Sequence, residues 1–225
     1  MRDMTATRKQ VTVEGGGMAL PGDLTVPDDP SGLVLFAHGS GSSRHSPRNR
    51  AVAASLNEAG FCTLLFDLLT ADEESADAQT GELRFDIPLL ARRLTMAVDW
   101  LDGSGERAGQ LPYGLFGAST GAAAALVTAG QRPRRVRAVV SRGGRPDLAG
   151  PLLGDLRVPV LLIVGGADTQ VLALNEAILG DLPDGSDLAV VPGASHLFVE
   201  QGALDQVAAL AADWFTRHIG DGGRP

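Results

Sequence analysis

Short, continuous apolar runs alternate along the chain with longer stretches whose apolar residues recur every three or four positions. LVLFAHG (33–39), FCTLLFDLL (61–69), VRAVVSRGG (136–144), VPVLLIVGG (158–166) and DLAVVPGA (187–194) are of the first kind, and YGLFGAS (113–119) joins them. A strand covered on both faces has no polar side to alternate, so such runs predict strands inside a parallel sheet. The second kind predicts helices. NRAVAASLNEAG (49–60) stops at Gly60, a favoured residue beyond a helix C-terminus. From Asp86 to Asp102, Ile87, Leu90, Leu94, Val98 and Leu101 line one helical face. TGAAAALVTAG, VLALNEAILGDL and GALDQVAALAADWFTRHI are the later helices. Before all of these, VTVE and MALPGDLTVP flank a GGG and predict a hairpin.

Two segments escape this pattern. TADEESADAQTGEL (70–83) is acidic and aperiodic, and it predicts an exposed, solvated loop rather than a metal site. Residues 1–10 and 219–225 predict flexible tails. Between them, strands alternating with helices imply an α/β class, one domain over 1–225, and about eight strands in a mostly parallel sheet covered by helices on both faces. Functional groups in such sheets collect at the carboxyl ends of the strands.

Composition narrows the partners. The 225 residues are 44% hydrophobic and 20% charged, an ordinary globular balance that needs no disulfide staple. The single cysteine, Cys62, lies in an apolar run and predicts a buried thiol. A net charge of −8 with no basic stripe argues against nucleic acid and anionic membranes. The N-terminus lacks the apolar core of a secretory signal, and no apolar run approaches the ~20 residues of a membrane span. The expectation is a cytoplasmic protein, monomer or homodimer, acting on a small molecule.

Three strand ends hold the residue types of nucleophilic catalysis. Gly117-Ala118-Ser119-Thr120-Gly121 is a G-x-S-x-G pattern between a strand and a helix. A sharp turn there lifts the serine hydroxyl out of the sheet and leaves room only for small neighbours. The next backbone N–H, on Thr120, sits at a helix N-terminus and can donate to an oxyanion. Gly165-Gly166-Ala167-Asp168 follows a second strand and offers a carboxylate to orient a histidine, with Asp147 as the competing acid. Pro192-Gly193-Ala194-Ser195-His196 follows a third and supplies His196 as general base, followed by apolar Leu197 and Phe198. His38, His45 and His218 fit that role less well, and His38 predicts a structural hydrogen-bonding residue.

The order Ser119, Asp168, His196, each after its own strand, resembles the α/β-hydrolase superfamily and within it the dienelactone hydrolase-like group. The resemblance runs over nearly the whole chain, through LPGDLTVP, LVLFAHGSGSSRHSPRN, LLFDLLT, FGASTGAAAAL, SRGGRPDL, LLIVGGAD and VPGASHLF. It implies the α/β-hydrolase fold and a serine hydrolase that needs no cofactor or metal. It also implies a second oxyanion donor from the loop after LVLFA: the Ser40 N–H, or alternatively that of Gly41. Dienelactone hydrolases proper use a cysteine nucleophile. Ser119 in its place favours general cleavage of small esters or lactones.

Many members carry a lid between the sixth and seventh strands, whereas RPDLAGPLLGDLR (145–157) is too short for one. The pocket is therefore expected to be open, walled by residues 40–48, 70–84 and 142–150. Gly41, Arg44, Arg142 and Leu197 are candidate substrate contacts. Arg44, His45, Arg48, Arg142 and Arg145 would hold an anionic group if they point inward, and otherwise face solvent or pair with the acidic segment. Thioesterase or amidase chemistry, a non-catalytic ligand-binding module and a scaffold for another enzyme are the alternative functions.

Overall fold

The computed structural model describes residues 6–220. Its eight strands are β1 (Ala6–Gly15), β2 (Met18–Pro27), β3 (Gly32–Ala37), β4 (Phe61–Phe66), β5 (Tyr113–Ala118), β6 (Val136–Arg142), β7 (Val160–Gly165) and β8 (Asp187–Val191). They form one sheet in the order β1-β2-β4-β3-β5-β6-β7-β8. β1 and β2 are an antiparallel hairpin, β2 joins β4 antiparallel, and every later pairing is parallel. The helices are α1 (Pro47–Glu58), α2 (Ala71–Thr80), α3 (Ile87–Gly103), α4 (Thr120–Gln131), α5 (Thr169–Ile178) and α6 (Ala203–Phe215).

The continuous apolar runs have the expected cause. Every residue of β3, β4, β5 and β7 is buried. Successive side chains still alternate, but between two apolar layers. In β3, Leu33, Leu35 and Ala37 enter the layer shared with α3 and α4. Val34 and Phe36 enter the layer shared with α1 and α6. Cys62 is fully buried, and burial pushes its thiol up to about 11.

Two expectations are corrected. Residues 6–10 are not a tail; they are the start of β1, with Ala6 opposite Pro27. β1 is an edge strand, and its charged residues kept it from reading as one. Arg8, for example, reaches Asp23 at 3.1 Å. At the other end, Ile219 is 1% exposed and packs into the α1–α6 layer. Residues 1–5 and 221–225 lie outside the described residues.

The acidic segment is also no loop: it contains α2. The Thr70 hydroxyl accepts from the Glu73 N–H at 3.2 Å, and the Glu73 carboxylate accepts from the Thr70 N–H at 2.8 Å. This reciprocal cap satisfies two orphan donors of the first turn. Gly81, at φ 71°, ends the helix in the left-handed region. Asp77 is the only buried residue of α2, so no apolar period marks it. Arginines hold it down instead: Arg84 donates to the Asp77 carboxylate at 2.6 Å and Arg93 to Glu73 at 2.5 Å. The β6–β7 connection contains only the short turns of Pro146–Asp155 and no cap domain. Among the described residues, no helix is long and apolar enough to cross a membrane.

Candidate active site

Ser119 directly follows β5, with φ 51° and ψ −120°, a backbone conformation rare for any residue but glycine. The flanking glycines explain how the chain turns there. A Cβ on Gly117 would lie 2.4 Å from Cα of Ala122, inside the helix that follows. A Cβ on Gly121 would lie 2.2 Å from the carbonyl oxygen of Ala37 and 2.5 Å from that of His38. The G-x-S-x-G pattern is therefore steric: α4 starts pressed against β5 and against the end of β3. The strained serine is stapled to its neighbours, its N–H donating to Arg142 at 3.2 Å and its carbonyl accepting from Arg145 N–H at 3.2 Å.

Asp168 stands at the N-cap of α5, but its side chain makes no cap bond. Oδ2 instead lies 2.7 Å from Nδ1 of His196. Asp147 is occupied elsewhere, gripped by Arg145 through both oxygens at 2.8 and 2.7 Å. His196 stands beside the end of β6, the neighbour of the serine strand: a Cβ on Gly143 would lie 3.5 Å from the His196 ring. Gly143 directly follows the residue that accepts the Ser119 N–H. No hydrogen bond joins Ser119 to His196 among the described residues.

The loop after β3 is held by His38. Its Nε2 accepts from Leu68 N–H at 3.1 Å, and Nδ1 lies 3.1 Å from the Gly39 carbonyl. That pattern requires a neutral ring protonated on Nδ1, and burial pushes the ring's pKa below its ordinary value. The loop then passes Ser119 closely: a Cβ on Gly39 would be 3.0 Å from Cβ of Ser119. The amides of Ser40 and Thr120 bond to no other group among the described residues. Both residues line a cavity of about 340 Å³.

Gly41 lines the same cavity. The opposite wall is α2 and the turn after it, through Glu74, Asp77 and Arg84. Burial, then the charge of Asp67, pushes the Glu74 carboxyl above its ordinary range. Residues 40–43 and the acidic segment thus form walls as expected, but residues 142–150 do not line this cavity. Glu74, Asp77 and Arg84 as individual lining residues were not legible in sequence, because only α2 and the turn after it bring them to the cavity.

The arginines divide. Arg44 is taken by Asp67 through both its side chain and its backbone N–H. Arg145 is taken by Asp147, and His45 faces Arg50 at 2.6 Å. Leu197 is 45% exposed and does not line the cavity. Arg142 differs from all of these. It is buried, its Nε and Nη1 have no partner, and Nη2 reaches only Oδ1 of Asn49 at 3.5 Å. Burial, then the charge of Arg48, pushes its pKa down to about 10, so it stays cationic at neutral pH.

Comparison with known proteins agrees with this architecture. A family described as the alpha/beta hydrolase fold matches residues 32–184. A crystal structure of dienelactone hydrolase from Anabaena variabilis is 53% identical, with a TM-score of 0.92 over 95% of this chain and 99% of that one. The esterase domain of a Rhodothermus marinus protein shares the fold at 21% identity and a TM-score of 0.75, over 95% of this chain and all of that one. The chain belongs to the α/β-hydrolase family and is a dienelactone hydrolase-like member of it. A Mycobacterium tuberculosis protein provisionally named a phosphoribosyl transferase is 56% identical over 211 residues, which are 94% of this chain and 46% of that protein. The chain therefore spans just under half the length of this curated relative.

Proposed function

We propose that this chain is a serine hydrolase that cleaves small carboxylic esters or lactones through an acyl-enzyme, with Ser119, His196 and Asp168 as its triad. The observation that carries this reading is the 2.7 Å pairing of His196 Nδ1 with Asp168, together with a serine held at positive φ directly after β5 of the same sheet. With Nδ1–H given to the carboxylate, Nε2 is left as the basic nitrogen. His196 takes the Ser119 proton as the hydroxyl attacks the ester carbonyl. The free N–H groups of Ser40 and Thr120 receive the oxyanion. His196 then protonates the leaving alcohol, and water repeats the sequence to release the acid. Asp168 stays ionised throughout.

A cavity of about 340 Å³ between the Ser40 loop and α2 suits a small acyl group. The Mycobacterium relative with a transferase name is matched by this chain over 46% of its length, so that name describes a longer protein. The test is turnover of p-nitrophenyl acetate, butyrate and octanoate by wild type and Ser119→Ala, with fluorophosphonate labelling read by intact mass. The reading expects label on Ser119, turnover falling with chain length, and loss of nearly all turnover in the variant. Wild-type turnover in folded Ser119→Ala refutes it. Tight ligand binding without labelling or turnover replaces it with a binding module.

A further inference from the structure

Arg142 is 8% exposed and two of its three guanidinium nitrogens have no partner. Asn49, its one hydrogen-bond partner, follows Arg48 in the chain; the charge of Arg48 acts on Arg142, and Arg48 Nε is itself buried without a partner. Neither arginine forms an ion pair among the described residues. Arg48 and Asn49 stand in the first turn of α1, and Asn49 is 2% exposed. The Phe198 ring closes one side, 5.9 Å from the Arg142 guanidinium carbon. A buried cation without a counter-charge is strongly unfavourable, and a second, half-buried cation beside it adds repulsion. Elsewhere around this site the chain does supply carboxylates, to Arg44, Arg84 and Arg145.

We propose that Arg142 and Arg48, with Asn49, form a subsite for a dianionic group, a phosphate monoester, carried by the ester that Ser119 cleaves. This rests on the serine hydrolase reading. The position fits: Arg142 pairs with Ala118 across the sheet and its carbonyl accepts the Ser119 N–H, so the subsite lies one strand from the nucleophile. The charge count selects the ligand class. A single carboxylate would leave one cation unbalanced, whereas a phosphate monoester carries between one and two negative charges at neutral pH and can accept from both guanidinium groups.

The test is binding of inorganic phosphate, and separately of methyl hydrogen succinate, to Ser119→Ala protein by calorimetry, beside the same protein with Arg142→Met or Arg48→Met. This readout needs no turnover, so it stands even if the esterase reading fails. Phosphate should bind more tightly than the succinate monoester, and each arginine variant should weaken it by about 10- to 100-fold. Phosphate should also compete with p-nitrophenyl acetate in wild type. Arg142→Met should fold, since an unpaired buried charge is replaced by an apolar chain of similar length. Absence of phosphate binding overturns the proposal. So does binding that both variants leave unchanged, succinate binding as tight as phosphate, or phosphate inhibition that is not competitive.

Discussion

Nδ1 of His196 lies 2.7 Å from Oδ2 of Asp168, while the rival acid Asp147 is closed in a two-pronged bond with Arg145. The two carboxylates follow neighbouring strands, but only one is free to orient an imidazole. Asp168→Asn should therefore lower kcat for a short ester by roughly a thousand- to ten-thousand-fold, since an amide offers Nδ1 the wrong partner and the wrong tautomer results. Asp147→Asn should change kcat by less than about threefold, because it touches only Arg145. The comparison is made on kcat with matched folded protein. Equal losses in the two variants would remove the assignment of Asp168.

The backbone contact between α4 and β3 sets a second expectation. Gly121→Ala places a methyl group 2.2 Å from the Ala37 carbonyl oxygen, which is main chain and has no rotamer to yield. The substitution should cost more than about 3 kcal/mol and lower Tm by roughly 6 °C or more, where it folds at all. Gly154→Ala is the control, since a Cβ there meets nothing within 4 Å. Its melting curve should match wild type.

These residues also show what sequence conveys. The strands of the parallel core were legible because burial on both faces leaves unbroken apolar runs, as in β3 and β7. The Ser119 turn was legible because its two glycines are steric requirements on one short segment. The edge half of β1 and all of α2 were not. One is an edge strand with charges on it, and the other is held by a cap and by Arg84 and Arg93, so neither carries an apolar period. The fate of the arginines was equally hidden. Arg44, Arg145 and Arg142 look alike in sequence, and only the fold decides that the first two meet a carboxylate and the third does not.

His38 gives an expectation in pH. Its Nε2 accepts the Leu68 N–H, a bond that a protonated ring cannot accept. Burial depresses the ring's pKa, outweighing the Gly39 carbonyl and the charge of Asp67, which both favour protonation. The unfolded chain therefore binds a proton near pH 6.5 while the folded chain does not. Stability contributed by the neutral ring is full above that pH and is lost as pH falls below it toward the folded value. Tm should decline from pH 7 to pH 5, and His38→Gln should start lower and decline less over that interval. A wild-type Tm that is flat or rises on acidification contradicts this.

Asp77 fixes the wall that faces the oxyanion loop. Its carboxylate accepts from Arg84 N–H at 3.1 Å and from Nε at 2.6 Å, and its carbonyl accepts from Nη2 at 2.8 Å. It is the one buried side chain of α2, and this pair seats the helix together with the bond from Arg93 to Glu73. Asp77→Ala leaves Arg84 without its carboxylate and frees α2 to move off the cavity. Tm should fall, because Arg84 loses its carboxylate and α2 loses its one buried side chain. Ser119, His196 and Asp168 stand on other elements, so KM for short esters should rise several-fold while kcat stays within about threefold. Steady-state kinetics across the acetate and butyrate esters reads this split. A collapse of kcat at constant KM would mean that α2 acts on the chemical step, and its role as a wall would have to be given up.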